Sequence, residues 1–491
     1  MGPTTVYIRL MSSAPQTPEP EIGALSQRSG WANDRSLFAS RVVVIFATKV
    51  AQFVMGGATL FLIAALLGSA RSGEYGLLST WIGMLFAFGQ LGMPAAMTFM
   101  AGRRGSVRSL ERIGLGLTVA ISLAIAVVAI AALPFLESTV LRALGGGDVA
   151  TSDDLLRVVL AAVPMLLLTQ FGAGILYTHG LNRPYNRIQV MVAVAMLILT
   201  AILIGFVPFG VSGAVAAYLI ANGAGALAVV WEVHKLARHP DGAAGERVAF
   251  KAFTKYGLKL YPQSITTFFS YRADVLLLSW LLGDPSAIGY YVVAVRIAEM
   301  TFYVPDSISA MLYPAISAST RSEADRMAPA ATRLAMLTTF MAAVAVVPAG
   351  FAAIWLLLKP EWHAAFPALV VIMPGILSLS LSKVLAAYLS GLGRPLPTTV
   401  AGLVGLTVNL GANLVLIPAW GIVGASAASL ISYSCHAAVL LFVACRWAKV
   451  PPQAFLVPRR AEFDRVRRTF VDALTALRSQ VSRRGRGPVL H

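Results

Sequence analysis

Two apolar runs between Tyr256 and Ala318 carry charges at positions where a membrane span rarely keeps them. Arg272 and Asp274 lie in the first run; Arg296, Glu299 and Asp306 lie in the second. A charge at the centre of a span costs at least about 2.5 kcal/mol, so such residues face protein or water and mark a pathway. In the second run Arg296, Glu299, Tyr303 and Asp306 stand at i, i+3, i+7 and i+10, on one face of a helix. In the first, Gln263, Thr267, Ser270 and Asp274 form a polar stripe. Arg272 lies about 200° round the helix from Asp274, so the two share a cavity only if the helix is distorted near Pro262.

Two further cations sit in spans of their own. Lys49 stands with Gln52, Gly56 and Thr59 at the same helical spacing, and Lys383 lies in a later run. Counted from helix ends, both lysines are about 10–12 Å in from the basic side, Arg272 is near mid-membrane and Arg296 is nearer the far side. Cations at successive depths would give an anionic headgroup places to rest while crossing. Each also has a plainer reading. Lys49 and Lys383 can snorkel to the interface, Arg296 can pair with Glu299 one turn on, and Arg272 can pair with a neighbouring helix. Asn409 and Asn413 read as interhelical glue, and His436 as a polar packing residue.

The elements that must position these groups follow from composition. The chain has 491 residues, 57% hydrophobic and 12% charged, and that charged fraction is about half of what soluble domains carry. At about 20 apolar residues per span, twelve helices are expected. They lie near 41–68, 76–101, 113–136, 155–179, 187–207, 210–234, 256–282, 287–316, 331–358, 364–390, 397–418 and 421–446. Lys and Arg gather in the even-numbered connections, at Arg103, Arg104, Arg183, Arg187, Lys251, Lys255, Arg321, Arg326 and Arg394. The odd-numbered ones hold few, so both termini are expected on the cytoplasmic side of the membrane.

Residues 1–40 read as a disordered cytoplasmic leader with either Met1 or Met11 as the start, and 237–255 as a cytoplasmic linker. Residues 448–491 form a basic tail in which Phe463, Val466, Phe470, Leu474, Leu477 and Val481 recur at helical spacing. That pattern suits an amphipathic helix on anionic inner-leaflet lipid. Cys435 and Cys445 share one helix about 15 Å apart, too far for a disulfide. The sequence has no Cys/His cluster and no phosphate-cradling Gly-rich loop. No cofactor, metal, nucleic-acid partner or enzymatic activity is therefore expected.

The chain repeats internally. Leu67-Gly68 with Tyr75 returns as Leu282-Gly283 with Tyr290, Gly180-Leu181-Asn182-Arg183-Pro184 as Gly391-Leu392-Gly393-Arg394-Pro395, and Gly210-Val211-Ser212-Gly213-Ala214 as Gly421-Ile422-Val423-Gly424-Ala425. An even number of spans per half makes the repeats parallel, with a cavity between an N-lobe at 41–236 and a C-lobe at 256–447.

Tyr271-Arg272-Ala273-Asp274, then LGDPSAIGYYVVAVRIAE and a distal Pro314, resemble the Wzx-type polysaccharide flippases of the MOP (multidrug/oligosaccharidyl-lipid/polysaccharide) exporter superfamily. LGSARSGEYGLLSTW and LGMPAAMTFMAGRR in the first half fit the same family. The resemblance covers residues 40–447. It implies an all-α fold of two six-helix lobes and export of undecaprenyl-diphosphate-linked oligosaccharide, with a polysaccharide polymerase and co-polymerase as partners. The family's cationic cavity maps onto Arg296, Arg272 and Lys49, with Lys383 added from the pattern above. Gln52, Gln263 and Tyr303 would line it, and Asp274, Glu299 and Asp306 are coupling-ion or structural candidates. The alternatives are a drug/cation antiporter or a peptidoglycan-precursor flippase of the same superfamily, the latter usually with about fourteen spans. A major-facilitator transporter is another, as is a membrane glycosyltransferase or polymerase, for which no large outer loop is visible. Four fixed cations would repel a cationic drug. The Ala101-Gly102-Arg103-Arg104-Gly105 loop lacks the Asp that a major-facilitator protein carries there.

Overall fold

The computed structural model describes residues 35–102, 105–136, 152–239, 246–317, 319–460, 462–464 and 467. Most of the expected leader, the longest far-side connection and the tail beyond 467 lie outside the described residues, as do the side chains of Lys49 and Tyr303. The described chain is helical, with one isolated bridge between Gly105 and Glu246.

Twelve helical arms follow one another. Arg35–Gly89 is one helix broken at Gly68 into α1 (35–67) and α2 (69–89), and α2 resumes as Met93–Gly102. Then come α3 (Val107–Leu136), α4 (Ser152–Thr178), α5 (Asn182–Thr200, ending in a π turn, Ala201–Phe206) and α6 (Gly210–Arg238). The second half holds α7 (Phe250–Leu282), α8 (Pro285–Glu299, continued as Tyr303–Ser317), α9 (Arg321–Leu357) and α10 (Ala365–Gly391). Leu396–Ala448 is broken at Gly421 into α11 (396–420) and α12 (422–448), and a short α13 (Gln453–Leu456) follows. Nine described helices are long and apolar enough to cross a membrane, ten with bent α8 counted as one span, and two of the nine each contain a pair of arms joined at a glycine.

The repeat glycines explain why the connections are so short. Gly68 (φ 76°) and Gly283 (φ 62°) occupy matching turns, as do Gly210 (φ 59°) and Gly421 (φ 56°). All four adopt the left-handed backbone that a Cβ disfavours, so each reverses the chain with almost no loop. The expected connection at 69–75 is therefore helix, and α1 begins at Arg35, ahead of 41.

One departure shapes the site. The 3₁₀ turn Met300–Phe302 interrupts α8, so Arg296 and Glu299 belong to a different helical segment from Asp306, and the single four-residue face expected there does not form. At the basic end, the stretch before α7 is pinned to the N-lobe: Ser106 N–H donates to the Glu246 carbonyl at 2.8 Å and Val248 N–H to Ser109 Oγ at 3.2 Å. On the same end, Arg333 of α9 is buried and gives its Nε and Nη2 to Glu462 Oε1 (3.1 and 2.7 Å), while Nη1 donates to the Ala454 carbonyl. Phe455, fully buried, completes this strap beneath the C-lobe.

Candidate substrate-binding site

Helices α1 and α2 of the N-lobe face α7 and α8 of the C-lobe across a cavity of about 70 Å³. Its N-lobe wall presents Leu60, Ile63, Ser72, Tyr75, Ser79 and Thr80; its C-lobe wall presents Arg272, Val275, Val292 and Arg296. The mixed lining follows from local sequence. On α2, Ser72, Tyr75 and Ser79 recur at three- and four-residue steps and so share a face, with Thr80 at its edge. The Ser79 and Thr80 hydroxyls donate to the carbonyls of Tyr75 and Gly76 (2.8 and 2.9 Å), which leaves their lone pairs to the cavity.

Arg272 and Arg296 come to one place because α7 and α8 form a hairpin. Both residues stand about 16–20 Å from the turn at Gly283, so they lie at nearly the same level rather than at successive depths. Glu299 sits between them. Arg272 Nη1 reaches Glu299 Oε1 at 2.9 Å and its Nη2 reaches Oε2 at 3.1 Å, a two-armed pair. Arg296 Nη1 meets Glu299 Oε2 at 3.4 Å, and the Arg296 side chain is 47% exposed against 19% for Arg272. Tyr75 and Tyr218 of the N-lobe lie within electrostatic range of Arg296. Two guanidiniums share one carboxylate, which leaves a net positive charge, and Arg296 holds it on the cavity side.

The other expected site residues go elsewhere. Asp274 is buried on the opposite side of α7 from Arg272, as their angular separation required. Its carboxylate accepts from the Tyr291 hydroxyl of α8, from Ser429 Oγ of α12 at 3.1 Å and from Val275 N–H at 2.9 Å. Lys383 of α10 is no free cation: its Nζ lies 2.6 Å from Asp306 Oδ1 and 4.0 Å above the Phe302 ring, with Tyr271 at 5.9 Å. Gln263 bridges within α7 and to α11, taking a bond from Thr399 Oγ1 at 3.2 Å and reaching Thr267 at 3.4 Å. Gln52 is half-buried on α1. The backbone of Lys49 lies on α1 and that of Tyr303 opens the second segment of α8. Asn413 Nδ2 bonds the carbonyl and Oδ1 of Asn409 on its own helix (2.9 and 3.0 Å), not a neighbouring one. Both cysteines are free.

Sequence reasoning missed Ser72, Tyr75, Ser79 and Thr80. They were legible as a polar stripe on an apolar helix but carry no charge to draw notice. Tyr291 and Ser429 carried no signal at all, since their relation to Asp274 is purely tertiary.

Comparison with known proteins agrees with this architecture. A family of polysaccharide biosynthesis proteins matches residues 154–367. A multidrug resistance MATE family transporter of the MOP superfamily, in its inward-facing conformation, superposes with a TM-score of 0.65 at 15% identity over 84% of this chain and 98% of its own. The lipid II flippase MurJ, in an inward closed conformation, gives 0.61 at 15% identity over 90% and 93%. An uncharacterized membrane protein of Methanocaldococcus jannaschii is 25% identical over 164 residues, about a third of each chain (33% and 32%). The solved structures share the fold, and residues 154–367 are similar to the family of polysaccharide biosynthesis proteins.

Proposed function

We propose that the chain carries undecaprenyl-diphosphate-linked oligosaccharide units across the bacterial inner membrane by alternating access between its two lobes, for surface or exopolysaccharide synthesis. The basic ends of the helices face the cytoplasm in this reading, as the Lys and Arg distribution requires. The observation that carries it is Arg296, an exposed guanidinium on an inter-lobe cavity, loosely held at 3.4 Å by a carboxylate that Arg272 already occupies. A diphosphate offers that fork two parallel acceptors, which Glu299 at this distance does not. Arg272 and the hydroxyl-bearing α2 face support it from either wall. Lys383, neutralised by Asp306, serves as a relay only if the anion displaces that carboxylate.

A cavity of about 70 Å³ holds a few waters and no sugar. Transport therefore needs the lobes to part, as hinge and shear motions allow. The MATE-like alternative, a cationic drug, is disfavoured by the two guanidiniums that line the cavity. The test is Arg296→Ala in the intact chain. Polymer export is expected to fall to background while the protein inserts at parental levels, and Arg296→Lys should rescue poorly. Wild-type polymer from the Ala strain would overturn the assignment.

A further inference from the structure

Helix α2 packs closely against the C-lobe at both ends of the cavity. At the basic end α2 breaks at Gln90–Gly92, where Leu91 (φ 49°) and Gly92 (φ 69°) are left-handed. A Cβ built on Gly92 would stand 2.0 Å from the Gly257 carbonyl oxygen of α7; Tyr261 Oη donates to the Phe88 carbonyl at 2.9 Å, and Phe99 stacks on Tyr256 at 4.1 Å. At the far end the start of α2 lies backbone to backbone against the start of α8. A Cβ on Gly73 would stand 1.8 Å from the Pro285 carbonyl oxygen, and one on Gly289 would stand 2.2 Å from that of Ser69. Two glycines, one per lobe, thus meet reciprocally, and neither site has room for even a methyl group.

A third contact spans the same end. Glu361, in the turn between α9 and α10, accepts the Ser69 N–H at the head of α2 at 3.3 Å. A C-lobe carboxylate thereby caps an N-lobe helix whose N-terminal dipole favours negative charge. Its neighbour Trp362, fully buried, stands edge-on to Tyr290 of α8 at 5.6 Å. Small residues that let backbones touch give helices in lipid their closest packing. All of these far-end contacts have to break if the cavity is to open on that side.

We propose that Gly73 and Gly289, latched by the Glu361 cap on Ser69, are the far-side gate of the transport cavity. This rests on the alternating-access reading above. Any side chain at either glycine wedges α2 from α8 and shifts the population toward a cavity open at that end. Loss of the Glu361 carboxylate loosens the latch without adding a wedge. The basic-end contacts are untouched by either change.

The test uses the full-length chain with Cys435→Ser, Cys445→Ser and a reporter Ser79→Cys on the cavity wall. A membrane-impermeant maleimide is added to spheroplasts and, separately, to inside-out vesicles. Gly289→Leu and Gly73→Leu are each expected to raise the spheroplast labelling rate about tenfold over the parent. Glu361→Gln should raise it less. Gly411→Leu, at a glycine whose Cβ would meet nothing within 4 Å, should leave it unchanged. If a leucine variant fails to insert, Gly289→Ala replaces it, since the Cβ alone is already too close to Ser69. An inserted Gly289 variant that labels at the parental rate from both sides overturns the gate, whatever the substrate is. Faster labelling only in inside-out vesicles supports the gate and overturns the membrane orientation proposed above. Faster labelling in spheroplasts by a chain that moves no lipid-linked oligosaccharide supports the gate and overturns the substrate.

Discussion

Arg272 of α7 and Glu299 of α8 form a two-armed ion pair, 2.9 and 3.1 Å, whereas Arg296 on the same helix as Glu299 meets it at 3.4 Å. The two arginines therefore have different work. Arg272 keeps a partly buried carboxylate company; Arg296 keeps most of its donor capacity for something else. Removing one member of a buried pair strands the other and costs about 3–5 kcal/mol, while replacing both with apolar groups of similar volume is often neutral. Arg272→Met is expected to lower the amount of inserted protein and its melting temperature in detergent. The double variant Arg272→Met with Glu299→Met should recover both, and Arg296→Ala should disturb neither. Equal loss of protein in the two single arginine variants would show that they share one structural role.

The strap beneath the C-lobe gives a pH dependence with a definite sign. Burial pushes the Glu462 carboxyl up, but the Arg333 guanidinium and the Arg459 N–H, at 2.7 Å, outweigh it and hold the group below its ordinary value of 4.5. A depressed carboxyl contributes stability that is complete above the unfolded value and is lost as pH falls through the folded one. Residues 450–464 should therefore stay protected from hydrogen exchange down to about pH 4.5 and lose protection below it. Glu462→Gln should show the loosened strap at neutral pH and a flat profile. A Glu462→Gln variant as well protected at neutral pH as the parent would mean that the buried Phe455, rather than the ion pair, holds the strap.

How much of this was legible in the sequence depends on the range of the interaction. Turns were legible because Gly68, Gly210, Gly283 and Gly421 mark them by residue type, and the spans because a lipid-facing helix must be apolar. The charged residues of α7 and α8 stood out for the same reason, and the angle between Arg272 and Asp274 foretold that they would part. Partner choice was not legible. Nothing local says that Lys383 will find Asp306, 77 residues away, or that Glu361 will cap Ser69, 292 residues away. The turn at Met300–Phe302 was hidden too: the i, i+3, i+7, i+10 spacing assumed an unbroken helix, and the Pro305 that follows was the one available warning.

Orientation can be checked independently of chemistry. Reporter fusions after Arg183, Arg247, Arg326 and Arg394 are expected to report cytoplasm, and fusions near Gly146 and Lys359 the opposite side. All four basic positions belong to even-numbered connections, so one reversed reporter among them would break the parity on which the parallel relation of the two lobes rests.

The last prediction concerns the driving force. A diphosphate bears about two negative charges, and moving each outward across 100 mV, negative inside, is favourable by about 2.3 kcal/mol if the protein's own charges stay in place. Removal of the product outside adds to that by mass action. An imposed potential alone should therefore drive labelled lipid-linked oligosaccharide across proteoliposomes containing the chain. Should transport appear only when a proton or sodium gradient is added, a carboxylate must carry the coupled ion. Of the three candidates Asp274, Glu299 and Asp306, Glu299 is held by two guanidiniums and Asp306 by Lys383. Asp274 is the one of them with no ion pair among the described residues, bonded instead to Tyr291 and Ser429. Asp274→Asn preserves the size of the group and removes its charge. In the potential-driven case the variant should transport at near-parental rates. In the gradient-driven case it should abolish the response to the gradient while Arg296-dependent binding of the diphosphate persists.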